Sequence, residues 1–460
     1  MNSLCFSRFG QGRIHLRRWI AVSRFFVSLV AGGIVFGFVN ILPASAEQAA
    51  WPGFQNGGQP IAQADWLPTT WSPESNIDWT APIEGYGQST PVVAYDQIVV
   101  TSTSGAQKDH YHITSFAMDG SKNWQVDRPN PSPFKNSPMV SRAAPSAVAT
   151  QDGFVAFFEG GVLMGLSTAG EVRWERDLVE QFGEIGARFG LAASLEFDGT
   201  HVFVWVEREA EPYVMAISPA TGEVAWKVPG LEVTSWSSPR LIPVGDAFHL
   251  VCSGDGKIVG LDPSSGDRLW EFDDISGNTA CTPMPAGSGR FLIGASSGSK
   301  ERNAGTAAEN NALVQIKKSD DGTFHTNTVW RANKATSTFG SPVVVGNTAA
   351  FVSRAGVLFQ LDLETGAQLS TTRIKAGSTW ATPIIAGRRI YLFGSKGDTS
   401  VVSLDDGKEI TTNRCWTTES AAPPFGGGHK IYAGALGKPY LLLRRGDRLY
   451  AVRSSDLTLH

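Results

Sequence analysis

The chain has 460 residues, with 50 glycines, 14 tryptophans, only 18% charged residues and a formal net charge of −4. That near-balance excludes a nucleic-acid partner held by bulk electrostatics. The length allows two or three ordinary domains or one large β architecture; abundant glycines and aromatics among few charges point to short strands joined by tight turns.

Residues 1–46 read as an export signal. Arg8, Arg13, Arg17, Arg18 and Arg24 precede an apolar run over 25–42, and Ala44-Ser45-Ala46 supplies the small residues a signal peptidase accepts. Arg17-Arg18 followed by Trp19 loosely matches a twin-arginine leader. The alternative is an anchor by an uncleaved N-terminal helix, since the run approaches the ~20 apolar residues that span a bilayer. The expectation is an exported protein, periplasmic or secreted, with no membrane span after signal cleavage. Cys5 leaves with the leader. Cys252, Cys281 and Cys415 remain, without CxxC or Cys/His ligand spacing, so no metal site is expected from cysteines.

Residues 47–73 form an N-terminal arm that contains WPGFQNGG (51–58), and residues 74–460 repeat. One recurring phrase is a small residue and proline followed by an apolar strand, starting at Ser89, Ala144, Ser237, Cys281, Gly340 and Ala381; a copy at Ala192 lacks the proline. It alternates with a hairpin phrase such as SPATGEVAW (218–226) or DPSSGDRLW (262–270). The hairpin glycines, Gly120, Gly170, Gly222, Gly266, Gly322, Gly366 and Gly407, suit a turn position with positive φ. Two hairpins per unit make four antiparallel strands, the content of one propeller blade, at a period of roughly 40 to 50 residues. Trp79, Trp124, Trp174, Trp226, Trp270 and Trp330 recur at the hairpin ends and are assigned to packing between blades.

Seven units are clear and an eighth follows from Ala422 with three strands only. The missing outer strand is supplied by NIDWTAP (76–82), which closes the ring. The expected fold is all-β, a β-propeller with eight blades, seven being the alternative.

These alternating S-x-P-V strands and T-G-x-x-x-W hairpins resemble the repeats of the PQQ-type, quinoprotein-like β-propellers over about residues 74–460. WPGFQNGG, SRAAPSAV (141–148) and SWSSP (235–239) further resemble a group of exported bacterial propellers. The resemblance implies one of two roles. In the quinoprotein dehydrogenases, pyrroloquinoline quinone and Ca²⁺ sit in the channel above adjacent cysteines, with an aspartate base; this chain has no adjacent cysteines. In the outer-membrane protein assembly lipoproteins the propeller binds partners, and a lipidated cysteine follows the leader; here Glu47 stands there. The expectation is therefore a monomeric binding or scaffolding module for protein or carbohydrate in the cell envelope, without a cofactor. The alternative is a PQQ- and calcium-dependent dehydrogenase of alcohols or sugars.

Sites are sought among residues that do not repeat. Three positions before the strand-opening proline stand Gln88, Arg142, Trp236, Ala280, Phe339 and Trp380, expected at the mouth of the central channel. Three aromatics and an arginine there would stack on a sugar or peptide and hold an anion. His110 and His112 share one strand face without an evident third metal ligand, and 297–311 is a long polar insertion. Cys252 and Cys281 fall at strand ends on one rim, where a disulfide is geometrically possible. No nucleophile elbow, zincin or paired-carboxylate motif is present, so no catalytic residue is assigned.

Overall fold

A computed structural model describes residues 51–61, 64–133, 142–187, 189–296, 308–337, 339–417 and 429–454. The leader and apolar run of 1–46, the start of the eighth unit at Ala422 and most of the 297–311 insertion lie outside the described residues.

Eight four-stranded antiparallel sheets stand in a ring. Blade 1 is Val92–Ala94, Gln97–Ser104, His110–Ala117 and Lys122–Pro129, and the following six blades repeat the same order along the chain. Blade 8 consists of Ile431–Gly437, Tyr440–Arg445, Arg448–Val452 and, from the other end of the sequence, Ile77–Pro82, which pairs with Arg448–Val452. Eight blades, not seven, close the propeller, and the closure is the strand exchange read from NIDWTAP.

Strand position in the blade explains strand composition. Inner strands are covered on both faces by neighbouring blades, so Val162–Leu166 and Val202–Val206 are buried throughout and read as unbroken apolar runs. Outermost strands face solvent on one side, and Gln368–Arg373 alternates accordingly. The core is therefore distributed along the seams: Val99, Ile113, Phe154 and Met164 join blades 1 and 2, and Phe203, Trp205, Leu250 and Val259 join blades 3 and 4.

The repeated Trp and Gly form one joint. The indole N–H of Trp79, Trp124, Trp174, Trp226 and Trp330 donates to a carbonyl in the hairpin turn of the next blade: Met118, Thr168, Pro219, Pro263 and Leu363, at 2.8–3.0 Å. The turn glycine lies flat on the ring. At Gly222, with φ of 72°, an added Cβ would stand 2.5 Å from Trp174, so the turn needs glycine for both its dihedral and its clearance. Trp270 departs from this pattern. The hairpin of blade 5 is longer, so a Cβ added at Gly322 would meet nothing within 4 Å, and Trp270 turns its N–H inward to His249 Nδ1 at 2.9 Å.

The Ser or Thr of the strand-opening phrase forms a second set of joints. The backbone N–H of Thr90 donates to Ser146 Oγ, Ser146 N–H to Ser194 Oγ, and Ser194 N–H to Ser238 Oγ, each at 2.9 Å. The series continues through Thr282, Ser341 and Thr382 at 2.9–3.0 Å. Seven blades are thus belted around the axis by hydroxyls, all donating in the same sense, and each bond satisfies an N–H that the start of an inner strand would otherwise bury unpaired.

The arm is a plug. Trp51 pairs with Val93 of blade 1, the Pro52 carbonyl accepts from Ala149 N of blade 2, and Ile61 bonds with Ile385 and Gly387 of blade 7. Between them Gln55 Nε2 reaches Ser341 and Thr382, while Arg240 of blade 4 holds the Phe54 carbonyl and Gln55 Oε1 at 3.1 Å. The turn Phe54–Gly58 carries four successive positive-φ residues, Gln55, Asn56, Gly57 and Gly58, a conformation that Asn and Gly tolerate best. Trp71 then stacks on Tyr391 of blade 7 before the chain enters blade 8.

The Cys252–Cys281 disulfide that the rim position made possible is not formed: Cys252, Cys281 and Cys415 are buried thiols. Cys252 packs in the seam of blades 3 and 4, whereas the Cys281 thiol donates to the Gly340 carbonyl, which leads into blade 6. The two strand ends share a rim but their side chains serve different seams; burial pushes the Cys281 thiol up to about 12, so it stays protonated at neutral pH.

Candidate functional site

The loops preceding the inner strands carry the non-repeating residues. Arg142 is buried, its guanidinium 4.5 Å from the centre of the Tyr86 ring. Tyr86 is hydrogen-bonded to Tyr432 through their hydroxyls at 3.1 Å, and the two rings meet edge-on. Burial and the Tyr432 hydroxyl hold Tyr86 well above its usual range, so it stays neutral. Gln88 accepts the Arg142 backbone N–H at 3.0 Å.

A buried ion pair supports this corner. Lys108 Nζ lies 2.6 Å from Glu159 Oε1, both side chains fully enclosed, and the same oxygen accepts Ala143 N–H at 3.0 Å. Ala143 and Lys108 both have positive φ, 46° and 58°, which is unusual for residues carrying a Cβ. Burial lowers the Lys108 pKa and Glu159 opposes that shift. The pair fixes the loop on which Arg142 stands.

Trp380 and Phe339 pack at 4.8 Å, and Lys430 Nζ stands 4.3 Å from the centre of the Trp380 ring. Phe339 is 47% exposed. Lys430 is pulled below its usual pKa by burial and then by the charge of Arg142. Gln88 is thus joined to Arg142 by a hydrogen bond, and Phe339 to Trp380 by ring packing beside Lys430. Trp236 does not join them: its ring packs on Phe189 at 5.7 Å where blades 3 and 4 meet, and its backbone N–H donates to the Thr279 carbonyl. Sequence reasoning missed Lys430, Tyr86 and Tyr432, which lie outside the counted repeat position; the signal for Lys430 was its place in the linker before the last inner strand.

His110 and His112 also separate. His110 is exposed; His112 is buried, with Nδ1 hydrogen-bonded to Asp127 at 2.7 Å and Nε2 to Ser104 at 2.8 Å. Glu84, His112 and Asp127 have ligand atoms within 4.8 Å of one another, but Gln125 already bridges the two carboxylates.

The space beside the arm is a cavity of about 60 Å³ lined by Phe54, Gln59, Met284, Val343, Ile384 and Tyr432. A second cavity, about 630 Å³, opens beside Trp236.

Comparison with known proteins gives a consistent picture of the fold. The family model described as outer membrane protein assembly factor BamB matches residues 71–204, 210–295 and 322–456. Among solved structures, BamB from Moraxella catarrhalis superposes with a TM-score of 0.55 at 14% identity, covering 84% of this chain and 99% of that one. Quinohemoprotein alcohol dehydrogenase from Comamonas testosteroni gives 0.54 at 10% identity over 90% of this chain and 82% of its own. Sqt1 from Saccharomyces cerevisiae gives 0.51 at 11% identity, covering 84% and 99%. No curated protein matches the chain in sequence.

Proposed function

The chain belongs to the family described as outer membrane protein assembly factor BamB, and from that premise we propose that it is a binding module of the cell envelope whose channel mouth takes an anionic group of a partner protein. The observation that carries this reading is the pairing of Lys430 on Trp380 with Arg142 on Tyr86, two cations on aromatic faces at one mouth. Such contacts contribute roughly 0.5–2 kcal/mol each. The structural likeness to quinoprotein dehydrogenases extends to the propeller alone. What supports binding over quinone chemistry is the arm: residues 51–61 bond to the inner strands of blades 1, 2, 6 and 7, and the cavity beside them holds about 60 Å³, far below the roughly 300–1,000 Å³ of sites that enclose small molecules. Exposed Phe339 beside Trp380 favours a carbohydrate as the second reading.

The test is capture from an envelope fraction with the exported protein and with a Trp380→Ala/Lys430→Ala variant of unchanged melting temperature. The variant is expected to bind the captured partner at least about ten-fold more weakly, equivalent to 1.4 kcal/mol. Equal capture by the variant rejects the mouth. Stoichiometric binding of pyrroloquinoline quinone with Ca²⁺, with dye reduction by an alcohol or aldose, replaces the reading by the dehydrogenase.

A further inference from the structure

We infer that the cavity between blades 3 and 4, lined by Phe189, Trp236, Glu207, Glu209, Glu211 and Glu232, is a binding site for an organic cation, an ammonium group on an apolar body. It is separate from the anion-holding mouth and does not depend on that reading.

The cavity measures about 630 Å³, within the range of roughly 300–1,000 Å³ that encloses a small ligand. Its walls are three connecting segments: the linker from blade 2 into blade 3, the turn between Val202–Val206 and Tyr213–Ile217, and the linker from blade 3 into blade 4. These segments are pinned to each other. Arg208 donates to the carbonyls of Phe182, Gly183, Glu184 and Glu211 at 2.7–3.1 Å, and Glu209 N–H donates to Gly186. Ser235 Oγ donates to the Ser253 carbonyl. The space is thus held open by hydrogen bonds within its own walls.

Its chemistry is one-sided. Phe189 and Trp236 supply an aromatic wall, their rings 5.7 Å apart and inclined by 44°. Four of the described lining residues are glutamates. Arg208, the cation among the described lining residues, is engaged by backbone carbonyls. Glu207 is 8% exposed, and its oxygens accept from Trp205 Nε1, Leu231 N–H and Val233 N–H at 2.8–3.1 Å. All three donors are neutral, and among the described residues Glu207 forms no ion pair. Burial raises its pKa accordingly, against the pull of those hydrogen bonds. A cation in the cavity would offset the desolvation of Glu207 and lie against π faces, the combination that recognises alkylated or primary ammonium groups. An anion would meet four carboxylates.

The experiment is a calorimetric titration of the exported chain with spermidine, tetraethylammonium and the tripeptide acetyl-Gly-Lys-Gly-amide, with glutarate as the anionic control. Saturable binding of at least one cation at one per chain, and none of glutarate, is expected. A Glu209→Gln/Glu232→Gln variant, whose two residues are exposed and whose melt should be unaltered, should bind at least ten-fold more weakly, as should Trp236→Leu. Preference for spermidine over the tripeptide marks a free amine as the source, and the reverse marks a lysine side chain. Failure of all three cations to saturate, or equal affinity in the variants and the parent, overturns the inference.

Discussion

Replacing His249 by Gln should remove a defined pH dependence from the stability of the ring. His249 is buried in the second strand of blade 4, accepts the Trp270 indole N–H at Nδ1 and meets Phe324 edge-on at 4.5 Å. Burial pushes its pKa down from 6.5 to about 4, with Asp262 opposing and Lys318 assisting. The unfolded chain therefore takes up this proton first as pH falls. Below 6.5 the unfolded state gains, and stability is lost progressively until pH reaches about 4, where the folded state is protonated too. At 1.36 kcal/mol per pH unit the loss is on the order of 3 kcal/mol. Glu196, pushed up to about 7 by burial and restrained by Arg240, works in the opposite direction, losing stability as pH rises from 4.5 to 7. The wild-type curve alone therefore hides the effect. Urea unfolding of both proteins from pH 7.5 to 4 isolates it: Gln keeps an acceptor for Trp270 and does not titrate, so the wild type should lose on the order of 3 kcal/mol relative to the variant. A difference that stays flat over that range refutes the assignment of His249 as a neutral acceptor.

Two further outcomes follow from the belt and the closure. Ser194→Ala leaves the Ser146 N–H without its acceptor and should cost about 1–3 kcal/mol, with amide exchange at Ser146 accelerated while exchange in blade 6 is unchanged; equal protection in the variant rejects the belt. Deletion of residues 75–82 strips the outer strand from blade 8 and bares the edge of Arg448–Val452. Protease sensitivity or aggregation is expected, and a soluble product with cooperative unfolding would contradict closure.

The repeated parts of this molecule were legible because their residues do the same work in each copy. Gly222 and Trp174 can be paired from sequence once the period is known, since a turn glycine and an aromatic recur together and a single blade cannot cover the ring. The belt was visible as Ser or Thr before proline at Thr90, Ser238, Thr282, Ser341 and Thr382, but not at Ser146, which follows Pro145, or Ser194, which has no proline beside it. Its function was not visible: a hydroxyl at a strand start reads equally as a turn residue, and only the neighbouring blade's N–H distinguishes the two. The plug was hidden for a different reason. WPGFQNGG does not repeat, and its partners, Arg240, Ser341 and Thr382, are far away in sequence. The mouth was half legible, because counting back from proline finds Arg142, Phe339 and Trp380 but also Trp236, whose ring turns to Phe189. Equivalent backbone positions do not fix side-chain direction in linkers of unequal length. The disulfide that the rim position made possible failed on the same point.

Blade 8 also sets the chain-entropy cost of completing the ring. Seven blades are assembled from contiguous chain, each hairpin closing a few residues at a time, at about 1 to 2 kcal/mol of chain entropy apiece. The eighth must join segments 375 residues apart, the separation of Asp78 and Arg453, at about 5 kcal/mol by the same logarithmic law. That cost applies to an unstructured chain and shrinks once the intervening blades are folded, so the strand that carries Trp79 is least costly to dock last. Without it the inner strands of blade 8 still meet blade 1 through Arg444, which bonds to Ser89 and Thr101, and what stays bare is the outer edge of Arg448–Val452.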